Sequence, residues 1–278
     1  MNTITQENKA QKFHALHQGQ NILVLPNAWD SASARLFEQA GFHAIGTTSA
    51  GIATSLGYAE PEKISREEML LSIRRIVDAV SLPVSADIEA GYASTAKGVA
   101  ETVEMVIAAG AVGVNIEDAP GVGDQLLFSI EQYIERLQAA REAVNMAHFP
   151  VVINARTDIY LLNIGHKNDQ FSQVVERANY YLEAGADCIF VPGIGDPDTI
   201  ANLVKEINGP INILANPDVP TTNKLQQLGV KRVSTGSGPM RATLTLIRQI
   251  AHELFTEGSY KHFTTDIITY NEVNALFQ

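Results

Sequence analysis

The feature that most limits what this chain can become is a rhythm: eight short apolar runs rich in β-branched residues, each leading into a stretch with helical spacing. The runs are Ile22 to Leu25, Ala44 to Thr48, Val84 to Ile88, Gly113 to Glu117, Val151 to Ala155, Cys188 to Val191, Ile211 to Ala215 and Arg232 to Thr235. Between them lie segments such as "SREEMLLSIRRIVDAV", "TAKGVAETVEMVIAAG" and "SIEQYIERLQAAREAV". Several open on Ser, Thr or Asp, whose oxygens accept from the free N–H groups of a first helical turn, and four end in Gly, which takes a left-handed helix stop at little cost. Strand and helix in alternation make repeated βα units on a parallel sheet. Such a sheet needs both faces covered and, left open, keeps two raw edges. Eight units in one domain therefore close most economically into an α/β fold of the (β/α)8 TIM-barrel type. An open doubly wound sheet would want a Gly-rich phosphate turn after its first strand, and "LPNAWDSAS" has none.

The chain's 278 residues match the roughly 250 that such barrels use as one unit. No linker, charge block or low-complexity tract divides it, so a single domain is expected, with the barrel over about 20–257, a leading helix near 7–18 and a C-terminal helical segment over about 258–278. Acidic residues outnumber basic ones 31 to 20, giving a net charge of −11 that argues against nucleic acid or an anionic membrane as partner. No apolar run approaches the roughly 20 residues of a membrane span, and the start, "MNTITQENKAQKF", lacks a signal-peptide pattern. Cys188 is the only cysteine, reads as a small buried hydrophobe in "DCIFV", and permits no internal disulfide. These features set the expectation of a cytoplasmic protein with a small-molecule ligand, which can be anionic if a metal or an Arg reverses the sign locally.

In barrels of this kind the chemistry gathers at the C-terminal ends of the strands. The stretch "SADIEAGYA", residues 85–93, ends an apolar run in two carboxylates, Asp87 and Glu89, which strand alternation places on one face with Ser85. Buried carboxylates need a cation or hydrogen-bond donors, so something positive is expected there, either a metal or a structural ion pair. Glu117 and Asp118 follow on the next strand, and the four acids together make an oxygen-rich cluster, while none of the seven histidines falls at a strand end. Hard oxygen ligands without imidazole or thiolate suit Mg²⁺ or Mn²⁺ better than Zn²⁺. Arg156 lies two residues after Asn154 on the same side of its strand; its planar fork matches a substrate carboxylate, or it bridges to Asp158 or Glu117. Thr47, Thr48, Ser49 and Asn216 offer neutral hydrogen bonds, and "GSGPM" before the last long helix could present N–H groups to an anion.

The motifs "ADIEAGY", "NIEDAPG", "NARTD" and "GADCIFVPG", in this order and spacing, resemble the isocitrate lyase and phosphoenolpyruvate mutase superfamily, and within it the carboxyvinyl-carboxyphosphonate phosphorylmutase-like branch. The resemblance implies an α/β barrel, a Mg²⁺ held by acidic side chains, a 2-oxo acid or its enol as ligand, and a homo-oligomer, tetramer or dimer, with exchanged C-terminal helices. It assigns Asp87 and Glu117 to the metal, Arg156 to the substrate, Thr47, Thr48 and Ser49 to the loop that grips the oxo acid, and Asn216 to a carboxylate contact. The departures narrow the chemistry. Where the lyases carry a Lys-Arg-Cys-Gly-His loop, this chain reads "APGVGDQLLFS", which leaves no thiol to protonate a departing enolate and argues against isocitrate or methylisocitrate lyase activity. The Lys and Asn of the phosphonomutases are missing from the same loop. Ser85 stands at another acidic metal position, Glu60 where many relatives have Asp, and Pro192 in place of His or Glu.

The expected activity is therefore a Mg²⁺-dependent lyase on small 2-oxo or 2-hydroxy carboxylic acids, with Glu60 or Glu89 as base and a lid near Gly121 and Gly123. Carbon–phosphorus chemistry, and a noncatalytic oxo-acid binder, are the alternatives.

Overall fold

The computed structural model describes residues 5–59, 61–121 and 123–278. Among these, nine parallel strands make one sheet: β1 (Leu23–Leu25), β2 (Asn27–Ala28), β3 (Ile45–Thr47), β4 (Val84–Asp87), β5 (Gly113–Glu117), β6 (Val152–Arg156), β7 (Cys188–Val191), β8 (Ile211–Leu214) and β9 (Arg232–Ser234). The helices are α1 (Gln6–Gln18), α2 (Ser31–Gln39), α3 (Ser49–Ser55), α4 (Arg66–Ala79), α5 (Ala96–Ala108), α6 (Ile130–Met146), α7 (Lys167–Glu183), α8 (Pro197–Glu206), α9 (Thr222–Gln227), α10 (Gly238–Thr256) and α11 (Tyr270–Ala275). The ninth strand comes from a break rather than an extra unit. Pro26 has no N–H to give to a ladder, and it splits the first run into β1, which pairs with β9, and β2, which pairs with β3. The two pieces thus join the ends of the sheet, and the Pro26 carbonyl still accepts from Gly46 N at 2.8 Å.

Register confirms the closed cylinder. Hydrogen-bonded partners run one way through Leu23, Arg232, Asn212, Phe190, Arg156 and Glu117, and the other way through Asn27, Gly46, Ser85 and Gly113. The two lines are four residues apart on the first strand and four apart on β5, the total stagger of eight that a TIM barrel requires.

The sequence signals set most helix starts. Asp30, Ser65, Thr95, Ser129 and Asp196 each accept a hydrogen bond from the third helical N–H, with reciprocal capping boxes at Asp30, Ser65 and Ser129. The expected leading helix is α1. Its Phe13 packs with Ala10, Leu23, Leu25, Ala44, Val112 and Val152 in a small cluster of its own. A Cβ on Gly113 would lie 2.7 Å from Phe13 Cε1, so only glycine lets this plug seat. The barrel is thereby closed at one end, and its polar residues are left to the other.

Two elements differ from the sequence reading. Thr48 and Ser49 do not continue a strand rim: Thr48 caps α3, accepting from Gly51 N at 3.3 Å, and Ser49 opens that helix. The expected C-terminal segment is a single 3₁₀ turn, Lys261–Phe263, and the short α11, both lying on the outside. No helix among the described residues is long and apolar enough to cross a membrane.

Candidate active site

A cavity of about 310 Å³ opens at the C-terminal ends of the strands. Asp87, Glu89, Glu117, Arg156, Thr47, Thr48 and Ser49 all line it, so seven of the residues singled out from sequence converge.

Asp87 is the most firmly positioned. Its Oδ2 accepts from Ser49 N at 3.0 Å and Ser49 Oγ at 2.9 Å, and its Oδ1 accepts from Asn115 Nδ2 at 2.9 Å. Asn115 is itself fixed by Asn154 Nδ2, which donates to Asn115 Oδ1 at 2.7 Å. Thr47 Oγ1 accepts from Asp87 N at 2.9 Å. The loop hydroxyls therefore brace a carboxylate as well as facing the cavity. Strand alternation explains the network: Asn115 shares a face with Glu117, and Asn154 with Arg156.

Arg156 realises the ion-pair arrangement. Its Nε and Nη2 donate to Asp158 at 2.6 and 2.9 Å, and its Nη1 lies 2.7 Å from Glu117 Oε2. Burial opposes its charge, but Glu117 and Asp158 outweigh that and hold its pKa above the usual guanidinium value. Burial also pushes the Glu117 carboxyl well above the ordinary range; Arg156 pulls it down, and Asp158, Asp87 and Glu89 push it further up. One guanidinium does not balance this group of acids.

β4 ends at Asp87, and Glu89 sits beyond it at φ 49°, in a turn. Its Oε2 accepts from Glu62 N at 2.7 Å and its Oε1 from the Tyr92 hydroxyl. Desolvation and the Glu89 charge hold the Tyr92 hydroxyl protonated far above its ordinary pKa.

Three expectations need correction or delimiting. Asp118 is not part of the acidic cluster at the cavity: one residue from Glu117, it faces the other side of the strand. There it is buried and accepts from Asp158 N (2.9 Å), Tyr181 Oη (2.8 Å) and Arg177 Nη1 (3.3 Å). Asn216 does not line the cavity; its Oδ1 accepts from Asp218 N at 2.9 Å and shapes the turn after β8. Glu60 lies outside the described residues, as does Val122 in the loop expected to form a lid. Sequence reasoning passed over Asn115, Phe190 and Arg232, which also line the cavity. Two of them fall in register with a residue that was recognised, Asn115 with Asp87 and Phe190 with Arg156, and Arg232 joins the same line by way of Asn212.

Among the described residues no three His, Cys, Asp or Glu side chains form a group that could hold an ion by themselves. Mg²⁺ keeps several waters and binds proteins through one or two carboxylates plus ligand oxygens. Asp87 and Glu117 supply two such carboxylates facing one cavity, and the surplus negative charge that raises Glu117 would be relieved by a dication. The donor set thus fits a hard divalent cation.

The family model for phosphoenolpyruvate phosphomutase matches residues 13–255. The 2-methylisocitrate lyase of Escherichia coli K12 is 30% identical over 272 residues, covering 94% of this chain and 89% of that one. The chain belongs to the phosphoenolpyruvate mutase family. An uncharacterized protein of Mycobacterium tuberculosis is 37% identical over 84% of both chains. A crystal structure from Burkholderia cenocepacia J2315 superposes with a TM-score of 0.91 at 36% identity, covering 98% of this chain and 96% of that one. Phosphonopyruvate hydrolase, solved in complex with oxalate and Mg²⁺, superposes at 0.85 with 27% identity, covering 96% and 94%. Lyases and phosphonate mutases or hydrolases all occur in this superfamily, so a lyase or mutase activity is supported.

Proposed function

We propose that this chain is a Mg²⁺-dependent lyase on small 2-oxo or 2-hydroxy carboxylic acids, cleaving or decarboxylating the carbon–carbon bond next to the oxo carbon. The observation that carries the reading is the pairing, in one cavity, of two carboxylates fit for a hard cation with a guanidinium locked in orientation beside them. When bound, the cation would supply Lewis-acid polarisation of the ligand's oxo group. The chain's own part is positional. Asp87, braced by Ser49 and Asn115, and Glu117 would hold the cation. Arg156, anchored by Asp158, keeps its guanidinium at the cavity to orient a ligand carboxylate. Thr47 and Thr48 also line the cavity, and Glu89 or Glu60 is the proposed proton acceptor.

A methylisocitrate lyase is disfavoured because the loop after β5 has no thiol, and Cys188 cannot replace it: the side chain is fully buried and burial pushes its pKa up to about 12. Carbon–phosphorus chemistry is the second reading, supported by the likeness to phosphonopyruvate hydrolase. We also infer a homo-oligomer, tetramer or dimer. Its support is the apolar surface left uncovered on α10 and beyond, with Ile247 58%, Phe255 93% and Tyr270 81% exposed. The functional test is product formation from a panel of 2-oxo, 2-hydroxy and phosphono acids, with chelator-treated and Mg²⁺-reconstituted protein. Carbon–carbon cleavage restored by Mg²⁺ supports the reading; phosphate release favours the second; tight Mg²⁺-dependent binding without product leaves a binder.

A further inference from the structure

Arg232 is 2% exposed and lines the cavity, yet its Nε and Nη1 meet no acceptor among the described residues. The other internal arginines at the barrel are engaged: Arg156 with Glu117 and Asp158, Arg177 with Asp118, and Arg136 with the carbonyls of Ala93 and Ser94. A buried guanidinium without a partner is costly, because it has given up water and received nothing in return. If Arg232 served only to offset Asp87, it would be drawn to hydrogen-bond distance, but among the described residues the donors on Asp87 are Ser49 N, Ser49 Oγ and Asn115 Nδ2. Burial lowers its pKa only to about 10, so the charge persists at neutral pH.

Its position is as telling as its isolation. Asp87, Glu117 and Arg156 each close their strands at the cavity mouth, whereas Arg232 opens β9 and so enters from the plugged end. Ser85 also lines the cavity, from β4, and its Oγ is likewise buried without a hydrogen-bond partner among the described residues. Two side chains with unanswered donors therefore line one cavity.

We propose that Arg232 seats a second anionic group of the ligand, so that the cavity selects dianionic acids whose reacting end lies at Asp87, Glu117 and Arg156 and whose far carboxylate lies on Arg232 and Ser85. This rests on the oxo-acid reading above and narrows it to dicarboxylates. The test uses pairs of equal length that differ only by methyl for carboxylate: 2-oxobutanoate against oxaloacetate, and 2-oxopentanoate against 2-oxoglutarate. Each is titrated calorimetrically into the Mg²⁺-supplemented protein. At least one diacid should bind about tenfold or more tighter than its partner, the effect of one charge-assisted contact. Arg232→Met should erase that difference while leaving monoacid affinity within about twofold, and Arg232→Lys should keep part of it. Equal affinities within both pairs for the unaltered protein, or a variant that loses monoacid and diacid alike, overturn the assignment of Arg232. Failure of all four acids to bind overturns the oxo-acid reading with it.

Discussion

Replacing Arg156 by Met tests whether the charges at the cavity are balanced as the geometry indicates. The change removes three short contacts, to Asp158 at 2.6 and 2.9 Å and to Glu117 at 2.7 Å, and leaves two buried carboxylates without their cation. Breaking a buried pair from one side costs about 3 to 5 kcal/mol, and that is the loss expected at neutral pH. The pH dependence has a definite sign. Burial already holds the Glu117 carboxyl well above its ordinary value of 4.5, and losing Arg156 raises it further. A raised carboxyl binds its proton more tightly in the folded state than in the unfolded one, so stability falls as pH rises from about 4.5 toward the folded value. The deficit of the variant should therefore shrink toward acid, by at most about 1.4 kcal/mol per pH unit. Denaturant unfolding of both proteins in metal-free buffer from pH 5 to 8 measures this. A deficit under about 1 kcal/mol, or one that grows toward acid, would refute the reasoning.

Further outcomes follow from the same geometry. Asp118→Asn should cost about 2 to 4 kcal/mol of stability, because it disturbs a buried carboxylate shared by Tyr181, Arg177 and Asp158 N, while Mg²⁺ affinity stays within about twofold; thermal melts and Mg²⁺ titration of the same sample separate the two. Ser49→Ala removes a 2.9 Å hydrogen bond that orients Asp87 and should weaken Mg²⁺ about tenfold by calorimetry, with unaltered affinity counting against Asp87 as a ligand. Because Mg²⁺ needs Glu117 deprotonated and burial raises its pKa, Mg²⁺ affinity should climb with pH by up to about tenfold per unit, with proton uptake by buffer visible in buffers of different ionisation heat.

The barrel was legible because apolar runs and caps are local signals: all eight runs became strands within one or two residues of their expected limits. Pro26 was readable as a strand breaker, but not that its two flanks would pair with different neighbours and close the cylinder. Helix α3 escaped notice because seven residues, "SAGIATS", are too few to show an amphipathic period. At the site, residue type pointed to Asp87, Glu117 and Arg156, whereas facing had to come from parity. Asp118 was grouped with Glu117 although adjacent strand residues face opposite ways, and Arg232 was passed over although it shares a face with Ser234. Asn216 was placed at the rim by its strand-end position and by resemblance, and the turn after β8 takes it off the cavity. Loop direction of that kind is a tertiary outcome that spacing does not encode.

Oxalate binding measured by calorimetry, with and without Mg²⁺, on the unaltered protein and on Asp87→Ala is the most direct check. Seating of a dication by Asp87 and Glu117 predicts that Mg²⁺ strengthens oxalate binding at least about tenfold in the unaltered protein and has no effect in the variant. Oxalate affinity that is the same with and without the metal in the unaltered protein would contradict it.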